Sequence, residues 1–142
     1  MGTPLQTVYD KFFSKIDGDL TGLEGQIFNI FDSAISKSYK TCRHSLVYVL
    51  DEIVPPETES YDGSFNDDLD SDEIELLALW MKYEWKERKV SYLDGEKKRI
   101  GTKDFNRLES KKDELSASMK SSEKALDEVK SFMQEFNTYK YS

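Results

Sequence analysis

Residues 102–138 contain neither glycine nor proline. A span of that length without a breaker reads as one helix, starting near Thr102 or Asp104 and running to about Thr138. One seam along it is Phe105, Lys112, Met119, Leu126 and Met133, and the other is Leu108, Leu115, Ser122, Val129 and Phe136. Both repeat every seven residues, which is the a/d pattern of a helix that packs along its length on another helix. Lys112 and Ser122 are its weak points, and Ser116 to Ser122 is where a kink is expected. At 1.5 Å per residue, about 37 residues make a rod of about 55 Å. A compact chain of this size has a diameter near ~37 Å. The apolar seam therefore needs a kink, a second copy of itself, or another subunit to cover it, and two of those three are assembly.

The rest of the chain reads as a small helical bundle. Thr3 as N-cap, Pro4 at the first helical position and Gln6 closing a capping box predict a helix carrying Leu5, Val8, Tyr9, Phe12, Phe13 and Ile16, stopped by Asp17-Gly18-Asp19. A second helix is expected from Thr21 to about Lys40, with Ile27, Phe28, Ile30, Phe31, Ala34 and Ile35 on its apolar face. Leu46-Val47-Tyr48-Val49-Leu50 is short and rich in β-branched residues, so a strand or a buried turn fits it. Residues 51–70 read as an acidic loop. Asp70 and Glu73 form a capping box, and Leu69 and Ile74 sit where a hydrophobic staple needs them. The following run from Ile74 to Met81 is apolar nearly all round, which places that helix at the centre of the fold. Asp94-Gly95 reads as a turn that ends it. Trp80, Ile74, Leu77, Phe12 and Phe31 are the expected core.

Composition excludes several classes of function. The formal net charge is −8, so counterion release at phosphates disfavours a nucleic-acid grip. Cys42 is the single cysteine, which fits a reducing cytoplasm. The N-terminus lacks the pattern of a signal peptide, and the longest apolar stretch is too short to span a bilayer. Cys42 and His44 are two apart and would not face each other on a helix, and nothing in the sequence marks an orienting partner for His44. Asn66, Asp68 and Asp70 alternate as in a calcium loop, but Ser71 stands where glycine is required and Leu77 where glutamate is required. Asp17, Asp19 and Thr21 fail likewise, with Phe28 at the last position. Gly-rich phosphate loops, nucleophile elbows and zinc spacings are absent. No catalytic, metal or cofactor residue is assigned.

Charge is unevenly distributed along the chain. Asp51 to Glu73 holds ten acids and no base, whereas Lys82 to Lys103 holds eight bases against four acids. Complementary segments on one chain suit head-to-tail contacts between copies, which close into rings. The candidate charges are Asp67, Asp68, Asp70 and Asp72 on one side and Lys86, Arg88 and Lys89 on the other. The candidate apolar contacts are Leu115, Met119, Leu126, Val129, Phe132, Met133 and Phe136, with Tyr139 and Tyr141 at the end.

Four blocks also carry a family pattern: Tyr9-Asp10-Lys11-Phe12-Phe13-Ser14-Lys15-Ile16, the run Asp72 to Met81 with Glu84-Trp85, Gly101-Thr102-Lys103-Asp104-Phe105-Asn106, and the aromatic C-terminus. In order and spacing they resemble the small neck proteins of tailed bacteriophages that infect Gram-positive bacteria, the head-to-tail adaptor or connector proteins. Asp51 to Gly63 falls outside the pattern. The resemblance implies a helical bundle that forms a ring, usually of twelve copies, beneath the portal protein. It implies contacts to the next neck or tail-completion protein, and DNA passing through the lumen without sequence readout. It also implies a place in the virion neck after assembly in the host cytoplasm, away from any membrane.

The expected fold class is therefore all-α: a bundle core over 1–100 with its acidic loop at 51–70, joined to a long C-terminal helix and tail over 101–142 in one domain. One short strand or hairpin can stand between the second and third helices. The alternative function for such a chain is a coiled-coil regulator or scaffold that dimerises through the same heptads and binds a partner protein.

Overall fold

The computed structural model describes residues 2–16, 24–50, 63–100 and 104–141, with residue 24 and residues 136–141 as backbone only. The fold is predominantly all-α. Four α-helices are described, α1 Leu5–Phe13, α2 Ile27–Ser38, α3 Ser71–Arg99 and α4 Phe105–Tyr141, with a 3-10 turn over Glu24–Gln26 ahead of α2. A two-stranded antiparallel sheet stands between α2 and α3, with β1 Tyr48–Leu50 paired to β2 Gly63–Phe65. The acidic stretch 51–62, the stop signal at Asp17-Gly18-Asp19, and Thr21 and Thr102 as helix starts lie outside the described residues.

The apolar run of α3 sits where its sequence places it. Leu76, Leu77, Ala78, Leu79, Trp80 and Met81 are all buried, and α1 and α2 pack on this segment together with α4. Phe12, Phe31 and Leu77 are fully buried and Ile74 is half-buried against them. Phe31 is the centre of an aromatic group. Its ring meets Tyr9 edge-on at 5.2 Å and Tyr48 at 5.3 Å, and Phe65 at 6.0 Å. The sheet is thereby anchored to α1 and α2 through rings rather than through its own short ladder. Gly63 is required there, since a Cβ would lie 2.1 Å from the Val49 carbonyl oxygen.

Several readings of the sequence are corrected. Thr3 does not cap α1: its Oγ1 accepts a hydrogen bond from the Leu69 N–H at 2.8 Å, and its carbonyl accepts one from the Phe65 N–H. Pro4 takes the cap position, and Gln6 donates to Asp10 instead of closing a box. The chain start is thus used as an extra extended segment beside β2, bridging at Pro4 and Ser64. α1 ends at Phe13, ahead of the expected stop, and α2 is shorter than expected, ending at Ser38.

The larger correction concerns α3. It continues through Asp94-Gly95 to Arg99, a helix of 29 residues, about 43 Å long. A glycine inside a helix costs about 1 kcal/mol, which tertiary packing outweighs here. Leu93 is buried, Lys98 pairs with Asp94 one turn back at 3.0 Å, and Glu96 pairs with Lys111 of α4 at 2.5 Å. Lys97, Lys98 and Arg99 occupy the last turn, where positive charge opposes the helix dipole. The basic stretch is therefore the end of a helix and not a turn after one.

That extension changes the fate of α4. The helix runs from Phe105 to Tyr141 without interruption, including the serine stretch at 116–122. It lies antiparallel along α3, as three cross-helix pairs show: Glu96 with Lys111, Lys86 with Ser121, and Lys82 with Glu128. Its seam is covered within the same chain, so the mismatch between a 55 Å rod and a round globule does not arise. Leu108, Leu115, Ser122 and Val129 face α3 as the heptad predicts, and Leu115, Ser122 and Val129 are buried. The second row is kept only in part, with Leu126 and Met133 half-buried against the core. Ala125 is buried and Ser118 and Phe132 are half-buried, while Phe105, Lys112 and Met119 face outward. Ser122 is not a defect in the seam, because its hydroxyl donates to Glu87 of α3.

Gly95→Ala is expected to raise stability by about 0.5–1 kcal/mol, because a Cβ at this helical position meets nothing within 4 Å. Chemical denaturation measures it, and a loss of stability would restore the turn. Phe31→Ala is expected to lower stability by about 3–5 kcal/mol in the same assay.

Candidate functional site

Two polar groupings lie along α3. At its N-terminal end the capping box forms as the sequence predicts, with the Glu73 carboxylate accepting the Asp70 N–H at 2.9 Å. Glu73 is fully buried. Its second oxygen accepts the His44 N–H at 3.0 Å, and His44 Nδ1 lies 2.6 Å from its first. The hydrogen bond to Glu73, and then the Glu73 charge, raise the imidazole pKa above its ordinary 6.5. Burial pushes the Glu73 carboxyl up, but the N–H groups of Asp70 and His44 and the imidazole itself hold it below its ordinary 4.5. Arg43 closes the group with a 2.7 Å contact to Asp70.

His44, Asp70 and Glu73 offer ligand atoms within 4.8 Å of one another. Their chemistry suits a clasp better than a metal centre. Both Glu73 oxygens already accept N–H donors, and the Arg43 guanidinium on Asp70 would repel a cation brought beside it. What the group does is fasten the turn at 41–46 to the first turn of α3. Sequence reasoning missed Glu73 as the orienting partner of His44. The signal was the capping glutamate itself, whose carboxylate has a second oxygen to offer.

A cleft of about 450 Å³ opens further along α3, between the end of α1 and the middle of α4. Its walls carry Lys15, Lys82, Lys86 and Lys89 against one carboxylate, Glu114, with Trp85 and Leu93 among them. Ala117, Ser118 and Ser121 form the α4 side, and their small size leaves the space. Lys15 is paired with Glu75 and Lys82 with Glu128, Lys86 donates to Ser121, and Lys89 lies 5.2 Å over the Trp85 ring.

The predicted charge set is divided by the structure. Asp67 accepts the Ser45 N–H at 2.8 Å and Asp70 holds Arg43, so both serve the fold. Arg88 pairs with Glu84 at 3.0 Å, and Glu84, itself buried, also takes Lys37. Lys37 in turn lies over the Trp80 and Tyr83 rings. Asp68 and Asp72 are exposed, and Lys86 and Lys89 line the cleft. Lys15 and Lys82 belong with them and were not predicted, since proximity across helices leaves no mark on a linear charge count.

The predicted apolar contacts divide as well. Leu115 and Val129 are buried within the chain, and Leu126, Phe132 and Met133 are half-buried. Met119 is 49% exposed. The side chains of Phe136, Tyr139 and Tyr141 lie outside the described ones. Among the described residues, the largest apolar exposures fall at the two ends of the bundle instead. Val47 and Val49 are 59% and 63% exposed on the β1 arm, which is fastened to the start of α3, and Phe105 is 67% exposed at the start of α4, beside the end of α3. No helix among the described residues is long and apolar enough to cross a membrane.

The clasp makes stability depend on pH from both sides. The His44 contribution is fully present below pH 6.5 and is lost as pH rises through the raised folded value. The Glu73 contribution is present above pH 4.5 and is lost as pH falls through the lowered folded value. The clasp therefore contributes most between those two values. Thermal melts across pH are expected to show this, and Glu73→Gln is expected to flatten both limbs.

Comparison with known proteins identifies no relative: no protein-family model, no curated protein and no solved structure matches the chain.

Proposed function

We propose that this chain is a structural adaptor subunit of a tailed-bacteriophage neck, which forms a ring beneath the portal and joins the capsid to the tail while DNA passes through. The observation that carries this reading is the exposure of apolar side chains at both ends of an elongated helical body. Val47 and Val49 stand at one end of α3 and Phe105 at the other, separated by about 43 Å of helix. A subunit that bridges two layers needs an apolar contact at each end, and Val47 with Val49 at one and Phe105 at the other can supply them. The pattern of neck-protein blocks supplies the identity of the layers: the portal on one side and the next neck or tail-completion protein on the other. The ring is formed by copies of the chain, twelve by that pattern. The net charge of −8 suits a lumen that lets DNA slide without gripping it.

The coiled-coil regulator has less support. Its dimer would need the seam at Leu115, Ser122 and Val129, which α3 of the same chain already covers.

In dilute solution the purified chain is expected to sediment as a monomer, and to form rings visible by electron microscopy only when portal rings are added. Val49→Asp and Phe105→Asp are expected to reduce ring occupancy about tenfold or more, with helical content unchanged by circular dichroism. A stable two-fold dimer in the absence of any capsid component overturns the adaptor and supports the regulator.

A further inference from the structure

On a chain with 28 acidic and 20 basic residues, four lysines line one cleft, of which Lys15 is paired with Glu75 and Lys82 with Glu128. Lys82, Lys86 and Lys89 follow one another at helical spacing on one side of α3, and Lys15 joins them from the end of α1. The cleft is open because α4 presents Ala117, Ser118 and Ser121 to Trp85 instead of large side chains. A cleft of about 450 Å³ between α3, α4 and the turn after α1 admits a few carboxylate side chains on a short segment, and is too small for a duplex. A bound polynucleotide would also meet the repulsion of the whole chain.

The complementary surface is at the other end of the same helix. Asp68 and Asp72 are exposed beside the α3 N-terminus and, among the described residues, hold no ion pair, unlike Asp70. Fourteen residues of rigid helix separate Asp72 from Lys86, about 21 Å. A single copy therefore cannot bring its own acidic end into its own cleft, but two copies can do so in succession. We propose that the lysine cleft receives the Asp68–Asp72 end of α3 from a second copy, joining copies head to tail. Such a contact is heterologous, and it closes into a ring when the rotation per copy permits. The inference deepens the adaptor reading and rests on it for the ring.

The test is a charge swap, read by sedimentation at high protein concentration and low ionic strength. The wild-type chain is expected to associate, and added salt to reverse the association. Lys86→Glu with Lys89→Glu, and separately Asp68→Lys with Asp72→Lys, are each expected to weaken association about tenfold or more. Mixing the two variants is expected to restore it, because every cleft then meets an end of opposite sign, an outcome misfolding cannot imitate. Ser118→Leu, which fills the cleft without changing charge, is expected to weaken association as well. Variants that associate like the wild type, or a mixture that restores nothing, overturn the proposal. Binding of a duplex oligonucleotide that quenches tryptophan emission and is lost in Lys86→Glu with Lys89→Glu assigns the cleft to phosphate and also overturns it. Portal-bound rings formed equally by both charge variants remove the cleft contact and leave the adaptor standing. Rescue by mixing, with no ring on any portal, keeps the contact and removes the adaptor.

Discussion

The antiparallel pairing of α3 with α4 is the constraint on which the rest of the molecule depends. α3 has two halves with different tasks. Its N-terminal half is apolar nearly all round and is enclosed by α1, α2 and α4, while its C-terminal half is amphipathic and has α4 as its partner. Without α4 the second half would be a basic helix with Trp85 and Leu93 in water. Apolar burial alone would let the two helices slide by a turn at small cost, because heptads repeat. The polar pairs remove that freedom: Lys82 with Glu128, Lys86 with Ser121, Glu87 with Ser122 and Glu96 with Lys111 are satisfied together in only one register. Exposed pairs of this kind add little stability. Their value lies in making the alternatives worse.

How much of this was legible in the sequence follows from which signals are local. The capping box at Asp70 and Glu73 and the buried run after it depend on neighbours within one turn, and they were readable. The α4 helix was readable because nothing in it breaks a helix. The covering of its seam was not, because Gly95 carries a local signal for a turn while the forces that override it, Leu93 burial and the Glu96–Lys111 pair, come from residues 15 or more positions away. A 55 Å rod beside a round globule would expose its seam, whereas an α3 that continues to Arg99 covers it. The second row holds at Leu126 and Met133 but not at its start, where Ser118 is half-buried while Phe105 and Met119 face outward.

Thr3 shows the same competition at smaller scale. A threonine before Pro4 is a good helix cap by local rules. Here its hydroxyl and backbone are bonded to Leu69, Phe65 and Asp67. Those bonds fasten the chain start to the residues that lead into α3, and His44 with Glu73 fastens the 41–46 turn to the same place. The acidic end of α3 is thus held from two directions. Asp67 and Asp70 are used up in holding it, which leaves Asp68 and Asp72 presented on a rigid base.

The small residues of α4 connect packing to function. A seam optimised for stability alone would carry a larger apolar side chain at 118, and would fill the space beside Trp85. Small side chains on this face sacrifice apolar burial, at roughly 25 cal/mol per Å². Ser122 recovers part of that loss through its bond to Glu87, but Ala117, Ser118 and Ser121 line open space. The α4 face is thus under-packed where the four lysines line the cleft. The same helix that α3 needs as a partner therefore also supplies the wall of the cleft, and a larger side chain at 118 would fill it.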